Sequence, residues 1–212
     1  ITYIGDKDCA NIDSALVTTQ RCLIYNSLNK ELYKKFFLTA SEIEACKDGY
    51  IYIHDMGARR DTMNCCLFDM AHVLKDGFEM SNIWYTEPKT LQTAFNVMGD
   101  VIINTTAMQY GGFTVPEVDT VLKKYAKMTY EKYYNEYFEI KGKGFDTEAS
   151  EYAWSKVKRE CEQGYQGIEY KLNTVSSSRG DYPFVTFTFG VDTDEFAVMI
   201  AKTILNVHKE GQ

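Results

Sequence analysis

Apolar residues recur along the chain at two spacings, one helical and one typical of strands. Spacings of three and four residues predict helices over residues 12–37, 148–172 and 194–208. Thr39 and Glu42 have the spacing of a capping box, which predicts a further short helix after Thr39. Helix is therefore the dominant element of the predicted structure.

The most regular helical pattern lies in the middle of the chain. A long helix is predicted to begin at Thr86 or Glu87, because Pro88 then falls in the first turn, where proline is favoured. The apolar stripe of this helix continues to Gly111-Gly112, where the helix is expected to end.

A second long helix is predicted directly after this glycine pair. Thr114 and Glu117, with Pro116 between them, form another candidate capping box. Two long helices joined by a few residues form an antiparallel hairpin, here over residues 86–138. Packing within the core is the simpler use of such a hairpin. Packing against a second hairpin, in this chain or in another copy, is the alternative.

Three short runs have the composition of strands: residues 50–53, 63–70 and 184–189. These strands are too few and too scattered to complete a sheet. The pattern therefore predicts a helix-weighted α/β fold in which residues 1–212 form a single incomplete domain. The first residue, Ile1 instead of Met, supports the expectation of a piece of a longer protein.

Composition narrows the possible partners. The chain carries 23 basic and 30 acidic residues, a net charge of −7, and this balance argues against nonspecific binding to nucleic acid. No membrane association is expected, because no apolar run approaches the roughly 18 residues of a spanning helix. Six cysteines form no CxxC pair and three histidines lie far apart, so no metal site is predicted. The thiols are expected to be reduced, in the cytoplasm.

The adjacent pair Cys65-Cys66 is the first candidate for chemistry. Neighbours on a strand point to opposite faces, so one cysteine would face a cavity while the other is packed. Two buried cysteines that act as small apolar residues are the plain interpretation. One redox or radical-quenching thiol is the sharper interpretation, and periodicity does not tell which cysteine it would be.

Three other segments have weaker signals. The polar loop of residues 174–183 offers hydroxyls, backbone N–H groups and Arg179, and could bind an anion or a nucleotide, or be a solvated connection. The tyrosines from Tyr130 to Tyr137, with Lys132 among them, could stack bases, but their helical spacing favours packing. His54-Asp55 is expected to be structural, because neighbouring side chains on a strand diverge.

The order of several short segments carries a family resemblance. From residue 50 onward the chain resembles the class III anaerobic ribonucleotide reductases, which are glycyl-radical enzymes. The segments that carry it are Tyr-Ile-His-Asp at 52–55, Asn-Cys-Cys-Leu-Phe-Asp at 64–69, Leu-Lys-Asp-Gly-Phe at 74–78, Pro-Lys at 88–89, Gln-Tyr-Gly-Gly at 109–112, Tyr-Glu-Lys at 130–132, Glu-Tyr-Lys-Leu-Asn-Thr at 169–174 and Pro-Phe-Val-Thr-Phe-Thr-Phe-Gly at 183–190. Each is weak alone, and the ordered set is specific.

The resemblance implies a fold and a reaction. The fold would be part of the ten-stranded α/β barrel of ribonucleotide reductases and glycyl-radical enzymes. The reaction would convert ribonucleoside triphosphates to deoxyribonucleoside triphosphates by glycyl and thiyl radical chemistry, with formate as the reductant. By the same resemblance, Cys65 would be the catalytic cysteine of the first barrel strand, and Asn64, Ser176 and Ser177 would contact the substrate.

Allosteric control by ATP or deoxynucleoside triphosphates is implied in the same way. Thr86, Glu87, Asp100 and Lys132 would bind the effector at the end of the dimer hairpin, although Asp100 departs from the amide expected there. Residues 174–183 would form the specificity loop, through Ser178, Arg179 and Gly180.

The resemblance also implies partners and missing parts. The enzyme would be a homodimer that needs an activase with S-adenosylmethionine and an iron–sulfur cluster. The glycyl radical segment and a structural zinc site would lie outside this chain, which is therefore expected to be inactive alone and to hold no cofactor of its own. The alternatives are another glycyl-radical enzyme of the formate-lyase type, and a non-catalytic nucleotide-binding or dimerisation module.

Overall fold

The computed structural model describes residues 16–57, 63–109, 111–142, 144–174 and 182–211. Seven helices and five short strands lie within these ranges. In chain order they are α1 (Val17–Phe37), α2 (Ala40–Lys47), β1 (Cys66–Leu67), α3 (Met70–Asp76), β2 (Phe78–Met80), β3 (Ile83–Tyr85), α4 (Leu91–Thr106), β4 (Phe113–Val115), α5 (Val118–Lys141), α6 (Asp146–Thr174), β5 (Val185–Phe187) and α7 (Glu195–Glu210).

Helix α6 is the centre of the helical layer, because it packs against α4, α5 and α7. It runs back along α5, and the Tyr134 hydroxyl donates to Asp146 Oδ1 at 3.0 Å near the short link between the two helices. Gly164 lets α4 approach α6 closely. A Cβ atom at Gly164 would lie 2.3 Å from Cδ2 of Phe95, so only glycine leaves room for this buried ring.

A parallel three-stranded sheet in the order β1-β4-β5 lies against these helices. Cys66, Phe113 and Val185 are in register, and their side chains point to the helical side. The next residues in register are Leu67, Thr114 and Thr186, which point away from it. Leu67 and Thr186 are exposed, and Thr114 on the central strand is half-buried. We call the first side the covered face and the second side the open face.

Helix α1 contributes little to the core. Thr19 is its only buried residue, and apolar side chains such as Ile24, Leu28 and Phe36 are exposed in the part of the chain that the structure describes. Among all the helices in the described part of the chain, none is long and apolar enough to cross a membrane.

Several predicted elements are confirmed. The predicted helices over 148–172 and 194–208 are α6 and α7, and the predicted helix over 12–37 is α1 from Val17 onward. The capping box is present at α2, since Thr39 Oγ1 accepts from the Glu42 N–H and Glu42 Oε2 accepts from the Thr39 N–H. In β5, the exposed Thr186 lies between the half-buried Val185 and Phe187.

The predicted strand over residues 50–53 is wrong. Tyr50 is 85% exposed and Tyr52 is 84% exposed, and neither belongs to a strand. The N–H groups of Tyr50 and Ile51 donate back to the Ala45 carbonyl oxygen, at 2.9 and 3.2 Å. The end of α2 thus takes the hydrogen bonds that a strand partner would need. The predicted strand over 63–70 is much shorter than expected, because only β1 and a single parallel bridge at Met63 are formed.

The predicted start of the first long helix is also wrong. Thr90 is its N-cap, and Thr90 Oγ1 accepts from the Thr93 N–H at 3.2 Å. Thr86 and Glu87 lie before the helix, because the preceding residues form the hairpin of β2 and β3. Its two-residue turn at Ser81 and Asn82 has positive φ at both positions, a turn that favours tight hairpins. The helix also ends earlier than expected, at Thr106 instead of Gly111-Gly112.

The capping box expected at Thr114 is absent from α5. Thr114 lies within β4, so its backbone belongs to the sheet. The N-cap is Glu117, which has a left-handed backbone at φ 48° and makes no side-chain capping bond. Instead, the Glu117 N–H donates to Thr188 Oγ1 at 2.9 Å, which fixes the start of α5 to the end of β5.

Candidate active site

The strand alternation separates the two adjacent cysteines, as predicted, and also decides which one is accessible. Cys66 packs against the core on the covered face, and its burial raises the pKa of its thiol. Cys65 is exposed. The five cysteines within the described ranges are all free thiols.

Cys65 lies where the segment before β1 meets the segment before β4. Its Sγ atom accepts from the Gly112 N–H at 3.2 Å, and its S–H donates to Asn64 Oδ1 at 3.3 Å. The Gly111 N–H donates to the Asn64 carbonyl oxygen at 3.0 Å. The predicted pair Asn64 and Cys65 is thus in direct contact, and the thiol has a defined donor and a defined acceptor.

Gly111 and Gly112 are site residues that the sequence patterns had placed only at the end of a helix. A Cβ atom at Gly111 would lie 2.2 Å from Asn64 Oδ1 and 2.5 Å from Cys65 Sγ. Only glycine therefore allows the backbone to come this close to the thiol. The sequence signals available were the glycine pair and the Gln-Tyr-Gly-Gly segment of the family resemblance at 109–112. The apolar spacing of the preceding helix favoured the interpretation of the glycines as a helix end.

Of the two predicted effector residues that precede α4, Glu87 has partners on α5. Glu87 forms an ion pair with Lys124. Burial of the Tyr125 ring, with a smaller effect of the nearby Glu87 carboxylate, raises the pKa of Tyr125 to about 12. Thr86 is exposed beside this group.

Asp100 and Lys132, the other two predicted effector residues, lie apart from Glu87 and from each other. Asp100 pairs with Lys171 of α6 at 2.7 Å. Lys132 Nζ lies 4.8 Å from the centroid of the Tyr133 ring. Asp100 is also roughly 13 Å farther along α4 than Leu91, whose N–H bonds to Thr129 on the turn of α5 before Lys132. One copy of the chain does not bring the four residues together.

A small cleft of about 280 Å³ opens next to Lys132, and its lining includes Tyr133, Lys156 and Arg159. Lys156 Nζ lies 6.0 Å from the Tyr133 ring centroid, so Lys132 and Lys156 are both near this ring. Glu160 lines the same cleft and accepts from the Tyr133 hydroxyl at 2.8 Å. The predicted residues Ser176, Ser177, Ser178, Arg179 and Gly180 lie outside the described residues.

Comparison with known proteins gives a consistent result. The sequence profile of the anaerobic ribonucleoside-triphosphate reductases matches residues 8–212. The reductase of Enterobacteria phage T4 is 35% identical over 204 residues, which are 95% of this chain and 33% of the phage protein. The reductase of Haemophilus influenzae is 34% identical, over 95% of this chain and 28% of its own length.

Solved structures agree at the level of the fold. The anaerobic ribonucleotide reductase from Thermotoga maritima, in complex with dATP and CTP, aligns with a TM-score of 0.55 and 15% identity, over 91% of this chain and 32% of that one. The chain thus spans about a third of the length of the relatives that it matches. On the profile match and the identity to these reductases, the chain belongs to the anaerobic ribonucleoside-triphosphate reductase family.

Proposed function

We propose that the complete protein containing this chain reduces ribonucleoside triphosphates to deoxyribonucleoside triphosphates. One observation carries the proposal for this chain: within a member of the family, Cys65 is an exposed thiol held between the Asn64 side chain and the Gly112 N–H. A thiol can give a hydrogen atom to a substrate radical, and the two contacts fix the direction of its S–H bond.

The overall reaction balances with formate. The 2′ C–O bond breaks and the hydroxyl leaves as water with one proton, while a C–H bond forms at the 2′ carbon. Formate supplies one hydrogen and the two electrons for this bond and is oxidised to carbon dioxide. A glycyl radical on another segment, generated by an activase with S-adenosylmethionine and an iron–sulfur cluster, would supply the radical. In this scheme Cys65 supplies hydrogen at the substrate, and Asn64 holds both the thiol and the substrate.

Turnover tests the role of Cys65 directly. In the complete reductase, Cys65→Ser should abolish deoxynucleotide formation and leave nucleotide effector binding unchanged. The matched control is Cys46→Ser on α2, which should keep its turnover. Activity that survives Cys65→Ser would exclude the catalytic role. The chain alone, supplied with formate and activase, should form no product.

Effector control is the second part of the proposal. The Thermotoga reductase structures include one with dATP in its specificity site. In this chain Lys132, with Lys156 close by, would hold phosphate groups, and Thr86, Glu87 and Asp100 would complete the site. Since one copy keeps these residues apart, we propose that the 86–138 hairpin forms a homodimer that joins residues of two copies. Residues 174–183 would act as the specificity loop.

Calorimetry with dATP, dGTP and dTTP tests the effector site. Binding should be lost in Lys132→Ala and kept in Lys141→Ala, an exposed lysine at the end of the same helix. Binding of no nucleotide would contradict the effector site. Nucleotide binding without any Cys65-dependent turnover in the complete protein would favour a non-catalytic nucleotide-binding module. Radical turnover of a substrate other than a ribonucleotide, without nucleotide control, would favour another glycyl-radical enzyme.

The remaining parts of the proposal follow from family membership. The parallel sheet with one open face would be part of the ten-stranded barrel, and further strands of the complete protein would enclose Cys65. The reductase would act in the cytoplasm, where reducing conditions keep the thiols free.

A further inference from the structure

Gln109 is a buried polar residue to which the proposed reaction gives no role. It is 1% exposed, and its Nε2 atom donates to the carbonyl oxygens of Gly111 at 3.1 Å and Gly112 at 3.0 Å. Two carbonyl acceptors fix the orientation of the amide, since an amide oxygen in their place would face them with like partial charge.

The other half of this amide is unsatisfied. Gln109 Oε1 is buried and has no hydrogen-bond partner within the described part of the chain. A buried acceptor without a partner costs stability, so packing alone would favour an apolar side chain of the same size at this position. The Gln109 side chain also hydrogen-bonds the Cys66 thiol and lowers its pKa, against the larger effect of burial. The N–H groups of the amide therefore account for its presence at this position.

One peptide group connects Gln109 to the Cys65 thiol. The carbonyl of Gly111 and the N–H of Gly112 belong to the same planar trans peptide, so they point in opposite directions. Gln109 donates to the carbonyl end, and the N–H end donates to Cys65 Sγ at 3.2 Å. The three groups form a chain of hydrogen bonds, in which a bond at the carbonyl strengthens the N–H as a donor.

We propose that Gln109 is a positioning residue for Cys65, acting from the covered face through the peptide between Gly111 and Gly112. Its amide holds this peptide at the angle that directs the N–H at Sγ, which leaves the S–H directed at Asn64 Oδ1. The importance of Gln109 for catalysis depends on the proposed catalytic role of Cys65. The effect on the thiol itself can be measured without turnover.

Two variants of nearly equal size separate positioning from packing. Gln109→Met keeps the volume and loses both donors, and Gln109→Glu keeps the length and replaces the donors with acceptors. Gln163→Met, at an exposed position of α6, is the control. If Gln109 only filled space, Gln109→Met would leave the thiol unchanged.

The first measurement is the alkylation of Cys65 by iodoacetamide at mildly alkaline pH, with Cys46 of the same molecule as the reference. Tandem mass spectrometry distinguishes Cys65 from Cys66 by fragmentation between them. An N–H donor stabilises the thiolate, which is the reactive form. We expect the ratio of the Cys65 rate to the Cys46 rate to fall roughly threefold to tenfold in Gln109→Met and at least as far in Gln109→Glu.

The second measurement is the amide proton shift of Gly112 in chain labelled with ¹⁵N-glycine. Cys65→Ala gives the shift without the sulfur acceptor, and Gln109→Met should move the signal toward that value. An unchanged rate ratio together with an unchanged Gly112 shift in a folded Gln109→Met chain would overturn the proposal. Failure of the proposed catalytic role has a different readout, which is turnover of the complete reductase that survives Cys65→Ser.

Discussion

Phe113 and Val115 on the covered face of the sheet are fully buried, whereas Leu67 on the open face is 79% exposed. Both faces belong to the same short strands, and single-residue alternation separates them. The covered face is a packed core, and the exposed Cys65 thiol immediately precedes β1. The comparison indicates that this sheet contributes to the core with one side and leaves the other side exposed in the part of the chain that the structure describes.

The largest expected effect is on the covered face. Phe113→Ala should lower the free energy of unfolding by about 3–5 kcal/mol, because it removes a fully buried ring and leaves a cavity. Leu67→Ala, on the open face of the neighbouring strand, should change it by less than about 1 kcal/mol. Urea unfolding followed by circular dichroism measures both. Equal losses would mean that the open face is covered in solution.

Gly111→Ala tests the position where the backbone approaches the thiol. The added methyl group would collide with Asn64 and Cys65, so we expect a loss of about 1–3 kcal/mol and a changed alkylation rate of Cys65. Gly167→Ala in α6 is the matched control. Apart from the adjoining backbone of its own helix, no atom lies within 4 Å of a Cβ there, so alanine should be stabilising by about 0.5–1 kcal/mol. Equal signs for the two substitutions would contradict the close approach.

The helices over the covered face depend on their ends as well as on their packing. Thr90→Ala removes the N-cap of α4 and should cost about 1 kcal/mol. Thr86→Ala, at the start expected from the sequence, should cost close to nothing in the thermal stability of the unliganded chain. Thermal unfolding measures both losses. A larger loss for Thr86→Ala than for Thr90→Ala would mean that the helix begins at Thr86, as the sequence pattern predicts.

The smallest expected effect concerns the ion pair between Lys123 of α5 and Asp192, which follows β5. The hydrogen bond from Lys123 lowers the pKa of Asp192 below its usual value. A lowered pKa in the folded state contributes stability at pH values above the unfolded pKa, and this contribution is lost as the pH falls through the folded pKa.

Asp192→Asn should therefore lower the melting temperature slightly near neutral pH and make no difference in strongly acidic buffer. The partner raises the pKa of Lys123, so the stabilisation is also lost at strongly alkaline pH. A difference between the two chains that does not change with pH would show that charge is not the cause.

The helices were the most predictable part of this fold, because their signal is local. The stripes of α6 and α7 and the capping box of Thr39 and Glu42 need no information from distant residues. The start of α4 was predicted too early because Pro88 has the position expected of a proline in a first helical turn. The residues before α4 instead form a hairpin with its turn at Ser81-Asn82. The strand predicted over residues 50–53 failed because residue preference does not supply a pairing partner.

The candidate site was predictable only in part, for a related reason. Alternation required that Cys65 and Cys66 diverge, and the family resemblance selected Cys65. The contribution of Gly111, Gly112 and Gln109 depends on contacts across many residues of sequence. Gly112 is 47 residues away from Cys65 in the chain, and no local pattern indicates that the two meet.

That separation also affects how the protein folds. Helices α5 and α6 follow each other along the chain and can associate early, because closing a short link costs little entropy. The bond from Gly112 to Cys65 requires β1 and β4 to pair, although α3, β2, β3 and α4 lie between them in the chain. Contacts between residues so far apart in sequence slow folding. During refolding we therefore expect the far-UV circular dichroism of the helices to recover before the alkylation rate of Cys65 reaches its native value. The reactivity of this thiol would then report when β1 and β4 pair.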